Sequence, residues 1–239
     1  MFAAWLQPGP ERLEALRGLL SADELEKADR YAFPELKIRS AAARGQLREI
    51  LGAALGVPAG SLRFQYGENG KPSLLGAPGS SPPLHFNVSH SADVALISIA
   101  DREHGVDVEV HRDRSYEDVA RRFFAAAEVD RLFALPAGDR KAAFFDTWTA
   151  KEAFVKATGV GITVPLADFE ARWHAAGESR SSSIRERTGS DGHIEVLRGP
   201  ASGRPFWLRS LEVGEGVSAA IVAEGERLLV STALWPPAG

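Results

Sequence analysis

The chain has 239 residues, no cysteine, 44% hydrophobic and 25% charged residues, and a formal net charge of -4. That length supports a sizeable core, in one large domain or two small ones. Without Cys there is no disulfide framework, thiolate zinc site or catalytic thiol, and the acidic balance argues against a general nucleic-acid binder.

The opening stretch, MFAAWLQPGPERLEALR, lacks a basic n-region and a long apolar core, and no run of about 18 apolar residues occurs anywhere. Neither a signal peptide nor a membrane span is expected, and a cytoplasmic location is. Ser21 to Glu24 reads as a capping box opening a charged helix through Lys27 and Arg30, punctuated by Pro34. A longer helix is predicted from about Glu35 to Leu55, stopped by Gly56 and Pro58. Leu62 to Tyr66 alternates like a short strand, and 67–83 reads as loop. The segment LHFNVSHSADVALISIAD predicts two strands, about 84–89 and 94–100, joined by a polar turn. Gly105 to Val110 is a further strand, 116–133 and 142–158 read as helices, and 176–193 as a solvated loop or irregular hairpin. Three strands are predicted near 193–197, 205–213 and 217–223, and the tail after Val230 reads as loose.

A weak internal duplication runs through these elements. Residues 48–64 parallel 151–169, each a helix ended by Gly and followed by a strand, and 85–101 parallel 206–225. The expected fold is α+β: two similar halves, each with helices packed on a small antiparallel sheet, facing one another across a ligand cleft. The expected division is 1–104, 105–230 and a tail of 231–239.

Chemistry concentrates between Gly105 and Gly161. Asp107 and Glu109 stand at i and i+2 of a strand and share a face, with Val106, Val108 and Val110 on the other. Such a pair is either a solvated edge strand or a cation site, because neighbouring carboxylates repel until a cation neutralises them. Glu152 and Lys156 share a helix face, as an ordinary surface pair worth roughly 0.3–0.5 kcal/mol or as part of that site. If strand and helix pack, three carboxylates and one ammonium converge, which suits Mg²⁺ on a phosphate ester. Lys151 reads as a solvated neighbour and Trp148 as a packing residue. Ser89 and His90, at a strand-to-turn junction, offer anion contacts, although a lone His is often structural. Gly70-Lys71-Pro72 is not a P-loop. Arg39 and Arg44 lie on the long helix, as solvated residues or as partners of a phosphate.

In chain order, Gly70-Lys71-Pro72, then Phe86-Asn87-Val88-Ser89-His90-Ser91, then Gly105-Val106-Asp107-Val108-Glu109, then Trp148 through Lys156 with Gly159-Val160-Gly161, resemble the motif series of the Sfp-type 4′-phosphopantetheinyl transferases. Arg122-Phe123-Phe124 followed by Glu128 resembles the segment between the last two motifs, and the resemblance covers about residues 20–170. It implies a monomer with internal pseudo-dimer symmetry and coenzyme A between its halves. It also implies Mg²⁺-dependent transfer of the phosphopantetheine arm to a serine of an apo acyl or peptidyl carrier protein, releasing adenosine 3′,5′-bisphosphate. By that resemblance Asp107, Glu109 and Glu152 hold the metal, Glu152 is also the general base, and Lys156 neutralises pyrophosphate charge. Ser89 and His90 meet the coenzyme's phosphates beside Asp107, Lys71 and Pro72 border its adenine end, and Arg39 pairs with its 3′-phosphate, with Lys27 as a second basic contact. Arg112, Arg114, Arg121 and Arg122 are candidates for docking the carrier's acidic helix. The rival readings are a Mg²⁺-dependent phosphoesterase acting on coenzyme A or a related pyrophosphate, and a non-catalytic coenzyme A-binding module.

Overall fold

Two helices of 22 residues organise the fold, each laid on a sheet. The computed structural model describes residues 1–67, 69–75, 84–113, 115–159, 161, 164–173 and 191–236. In chain order these form β1 (Phe2–Trp5), α1 (Pro10–Arg17), α2 (Ala22–Asp29), α3 (Pro34–Leu55), β2 (Phe64–Tyr66), β3 (Pro72–Leu74), β4 (His85–Ser91), β5 (Val94–Ala100) and β6 (His104–Val110). There follow α4 (Tyr116–Phe123), α5 (Ala126–Ala134), α6 (Ala137–Thr158), β7 (Phe169–Trp173), β8 (Asp191–Val196), β9 (Phe206–Ser210), β10 (Val217–Glu224) and β11 (Ala233–Trp235).

The strands form a four-stranded sheet in the order β11-β1-β5-β4, a five-stranded sheet β6-β10-β9-β8-β7, and the β2-β3 hairpin. All pairs are antiparallel except β1 with β11, so the four-stranded sheet is mixed rather than antiparallel. α3 presses Leu47, Ile50 and Leu51 onto Phe86 and Ile97 of the first sheet. α6 presses Ala150, Ala153, Phe154 and Ala157 onto Leu208, Ala220 and Val222 of the second. Val94 and Leu96 meet Val106, Val108 and Ile221, which packs the two sheets against each other. Both long helices end on a glycine at φ +67°, Gly56 and Gly159, the left-handed cap that glycine adopts without a Cβ penalty.

Several expectations need correction. The tail after Val230 is not loose: Ala233–Trp235 pairs in parallel with β1, Phe2 opposite Ala233. Both strands are three or four residues long and meet only through the tertiary fold, so no local pattern announces them. The 67–83 segment contains β3. The single helix expected over 116–133 is two, broken where Phe124 turns out at ψ 157° to stack on Phe144 at 5.3 Å. The helix expected from 142 starts at Ala137, directly after Pro136. Most of the loop expected over 176–193 lies outside the described residues, and its last three residues open β8.

Candidate active site

The site is built where α6 crosses β6. A Cβ at Gly105 would lie 2.1 Å from the Ala153 carbonyl and 2.4 Å from the Ala157 amide, so only glycine lets the helix backbone approach the strand this closely. That approach brings the Glu152–Lys156 face of α6 beside Asp107. Lys156 Nζ lies 2.7 Å from Asp107 Oδ1. The period-2 alternation also holds: Val106 and Val108 are buried in the inter-sheet core while Asp107 and Glu109 point away from it.

Asp107 is only 5% exposed. Its Oδ1 accepts from Ser89 Oγ and from Lys156, whereas its Oδ2 is buried with no hydrogen-bond partner. Glu109 Oε2 accepts from Ser91 Oγ at 2.7 Å and lies 3.6 Å from the Arg112 guanidinium. Burial raises the Glu152 carboxyl above its usual range; the Asp107 charge raises it further, Lys156 opposes the rise, and Glu109 adds to it. The three carboxylates therefore feel one another's charge. Burial lowers the His90 imidazole, and so does the Lys156 ammonium, while Asp107 and Glu109 pull the other way.

The orphan oxygen of Asp107 is the test of whether these residues suit a cation. A buried carboxylate oxygen without a donor is costly, and a hard divalent cation such as Mg²⁺ takes carboxylate oxygens as ligands. The donor set therefore fits. Among the described residues no three His, Asp or Glu side chains form a ready-made metal cluster; Lys156 bonds one oxygen of Asp107 and Ser91 one of Glu109.

The remaining candidates lie around this centre. Lys71 and Pro72 line a cleft of about 380 Å³ with Phe86 and Gly159, and Asn69 Nδ2 donates to the Gly159 carbonyl, which ties the cleft to the end of α6. Lys71 is bonded to Glu103 at 2.6 Å, and Glu103 also meets His85 at 3.0 Å. Arg39 pairs with Asp93 in the β4–β5 turn at 2.7 Å. Lys27 sits 5.8 Å from the Tyr66 ring centroid. Arg44 shares Glu24 with the fully buried Arg48, which makes it part of a structural network rather than a solvated residue.

Two residues were misjudged or missed. Lys151 is not a solvated neighbour. It is fully buried, 2.6 Å from Glu128, and donates to the Leu166 and Phe169 carbonyls. α6 is covered on one side by the sheet and on the other by α4 and α5, so little of its surface is left to water. Ser91 emerges only in the structure, where it bonds Glu109 and the Val110 amide, although Asn87, Ser89 and Ser91 alternate with the same period as the two acids. Trp148 packs as expected, 5.9 Å from Phe144.

The α+β scaffold thus sets a paired acidic strand beside a Glu/Lys helix face, a set of groups whose chemistry suits a phosphate ester and a cation. Comparison with known proteins makes this specific. A family model for the 4′-phosphopantetheinyl transferase superfamily matches residues 103–211, and one for the 4′-phosphopantetheinyl transferase N-terminal region matches 3–101. The 4′-phosphopantetheinyl transferase psf-1 of Bacillus pumilus is 32% identical over 75% of this chain and 77% of its own length. HetI of Nostoc sp. is 44% identical over 63% of this chain, which spans just under two thirds, 64%, of that relative. Sfp of Bacillus subtilis is 27% identical over 89% of this chain and 86% of its own. The chain belongs to the Sfp-type 4′-phosphopantetheinyl transferase family.

Proposed function

We propose that the chain transfers the 4′-phosphopantetheine arm of coenzyme A to a serine of an apo acyl or peptidyl carrier protein. The observation that carries this reading is the meeting of Asp107, Glu152 and Lys156 at the β6–α6 crossing, with one buried oxygen of Asp107 left without a donor. Asp107, Glu109 and Glu152 would hold Mg²⁺, which when bound neutralises charge on the pyrophosphate.

The carrier serine oxygen attacks the β-phosphorus of coenzyme A, and the bond from that phosphorus to the bridging oxygen breaks. Adenosine 3′,5′-bisphosphate leaves with that oxygen. Glu152 accepts the serine proton as the attack proceeds; a carboxyl raised by burial and neighbouring acids is a stronger base than a solvated one. Lys156 sets a positive charge beside the leaving phosphate. Little covalent work falls to the protein, so positioning and charge neutralisation dominate.

The cleft beside Lys71, Pro72 and Gly159 takes the adenine end of the coenzyme. Lys71 and Arg39 each hold a carboxylate, Glu103 and Asp93, and would exchange it for phosphate oxygens on binding. Ser89 and His90 stand beside the phosphates. The two family models divide between residues 101 and 103, which supports halves meeting near 104. The left-handed glycine that ends each long helix, followed in both cases by a 3-10 turn, supports their pseudo-twofold relation in a monomer. The carrier would dock on α4, where Arg121, Arg122 and Phe123 are exposed, together with the exposed Arg112; Arg114 lies outside the described residues. No helix among the described residues is long and apolar enough to cross a membrane.

The test is to incubate the protein with coenzyme A, Mg²⁺ and several apo carriers and to weigh the carriers. A mass gain equal to the phosphopantetheine arm, with equimolar bisphosphate release, is expected. Coenzyme A consumed with no carrier gaining mass would overturn the reading.

A further inference from the structure

β4 and β6 are edge strands of different sheets, and the bonds across their seam run from side chain to backbone. Asn87 Oδ1 accepts from the Val106 amide at 2.9 Å, Ser89 Oγ from Val108 at 3.3 Å, and Ser91 Oγ from Val110 at 3.1 Å. The alternating polar side chains of one strand thus satisfy alternate amides of the other. In a strand edge that would otherwise stay unpaired these bonds take the place of a ladder for those three amides.

The direction of each serine proton follows from what surrounds it. A hydroxyl has one donor and two acceptor sites. Ser91 accepts from the Val110 amide and from Arg112 Nη2 at 3.1 Å, and neither of those groups can accept in return. Both lone pairs are used, so its proton goes to Glu109 Oε2, 2.7 Å away. Ser89 repeats the pattern: it accepts from Val108 and gives its proton to Asp107 Oδ1, also at 2.7 Å. Both serines are buried, at 3% and 6% exposure, so water does not compete for these bonds.

Resting on the reading above that Asp107 and Glu109 hold the cation, we propose that Ser91, with Ser89 as its companion, is a positioning residue for the metal carboxylates. Each hydroxyl fixes one oxygen of its acid against β4 and leaves the other free to face the cation, as the partnerless Oδ2 of Asp107 does. The acids are then set in place before any ligand arrives, and the cost of ordering them is met in folding rather than in binding. Arg112 completes the arrangement by closing the last acceptor site of Ser91.

The experiment compares Ser91→Thr with Ser91→Val, two variants of equal volume that differ in the hydroxyl. Mn²⁺ binding is measured by its EPR signal in the presence of coenzyme A, alongside coenzyme A affinity and the metal-free Tm. The Thr variant should bind Mn²⁺ like wild type and the Val variant about 10–100-fold more weakly, with coenzyme A affinity unchanged between the two. Equal Mn²⁺ affinity in both variants would overturn this inference alone. A wild-type protein that binds no Mn²⁺ would overturn the metal reading itself and this inference with it.

Discussion

Two lysines five residues apart on α6 make opposite use of a carboxylate. Lys151 is enclosed: Glu128 faces it, two backbone carbonyls accept from it, and Glu128 in turn accepts from the Ala125 and Ala171 amides. Lys156 meets Asp107 at a similar distance, but its side chain is 28% exposed and Asp107 keeps one buried oxygen without a donor. Burial pushes the Glu128 carboxyl up and the Lys151 ammonium down, and each charge opposes the other's shift. The first pair is complete and pins α5, α6 and β7 together. The second is incomplete in a way that a ligand can complete. Within one short motif, the number of unfilled bonds separates the closed pair from the open one.

The sharpest way to break this comparison is to remove each ammonium. Lys151→Met leaves Glu128 buried and uncompensated, at a cost of about 3–5 kcal/mol. For a chain of this size that lowers Tm by roughly 6–20 °C, which calorimetry or thermal-shift measurements would register. Lys156→Met should move Tm by only a few degrees while lowering turnover about 10²–10³-fold, the range for losing one preorganised charge contact. If the two variants exchanged these behaviours, the distinction between closed and open pairs would be wrong.

A smaller effect concerns pH. Because the Glu152 carboxyl is raised in the folded protein, the native state holds more protons than the unfolded chain between the ordinary carboxylate range and the raised value. Stability is therefore lost as pH rises through that window. Glu152→Gln removes the loss, so the metal-free variant should melt above the wild type at neutral pH, by about 2–4 °C for each kcal/mol of relieved burial cost and repulsion. The two should converge in acid. Parallel melting curves at every pH would show that burial and the neighbouring acids do not raise the Glu152 carboxyl in the folded protein.

Much of the site was legible because its geometry is short-range. A period of two fixed the common face of Asp107 and Glu109, and a period of four fixed that of Glu152 and Lys156; Gly105 supplied the close crossing that joins them. What stayed hidden depends on the rest of the chain. Lys151 looks like any charged helix residue until α4, α5 and β7 cover it. The partners of Lys71 and Arg39, Glu103 and Asp93, lie 32 and 54 residues away. β1 and β11 pair across almost the whole chain, in segments too short to show alternation. The Asn87-Ser89-Ser91 ladder was readable in principle, since a polar period of two facing a second strand with the same period invites such a seam.

The most direct single test of the central claim is the turnover of Glu152→Gln on an apo carrier, with coenzyme A affinity measured on the same preparation. The variant should bind coenzyme A about as well as wild type and lose roughly 10²–10⁴-fold in rate, the usual share of a general base. Transfer at a near wild-type rate would contradict the account, because a neutral amide beside Asp107 can neither take the serine proton nor supply the third charge at the cation.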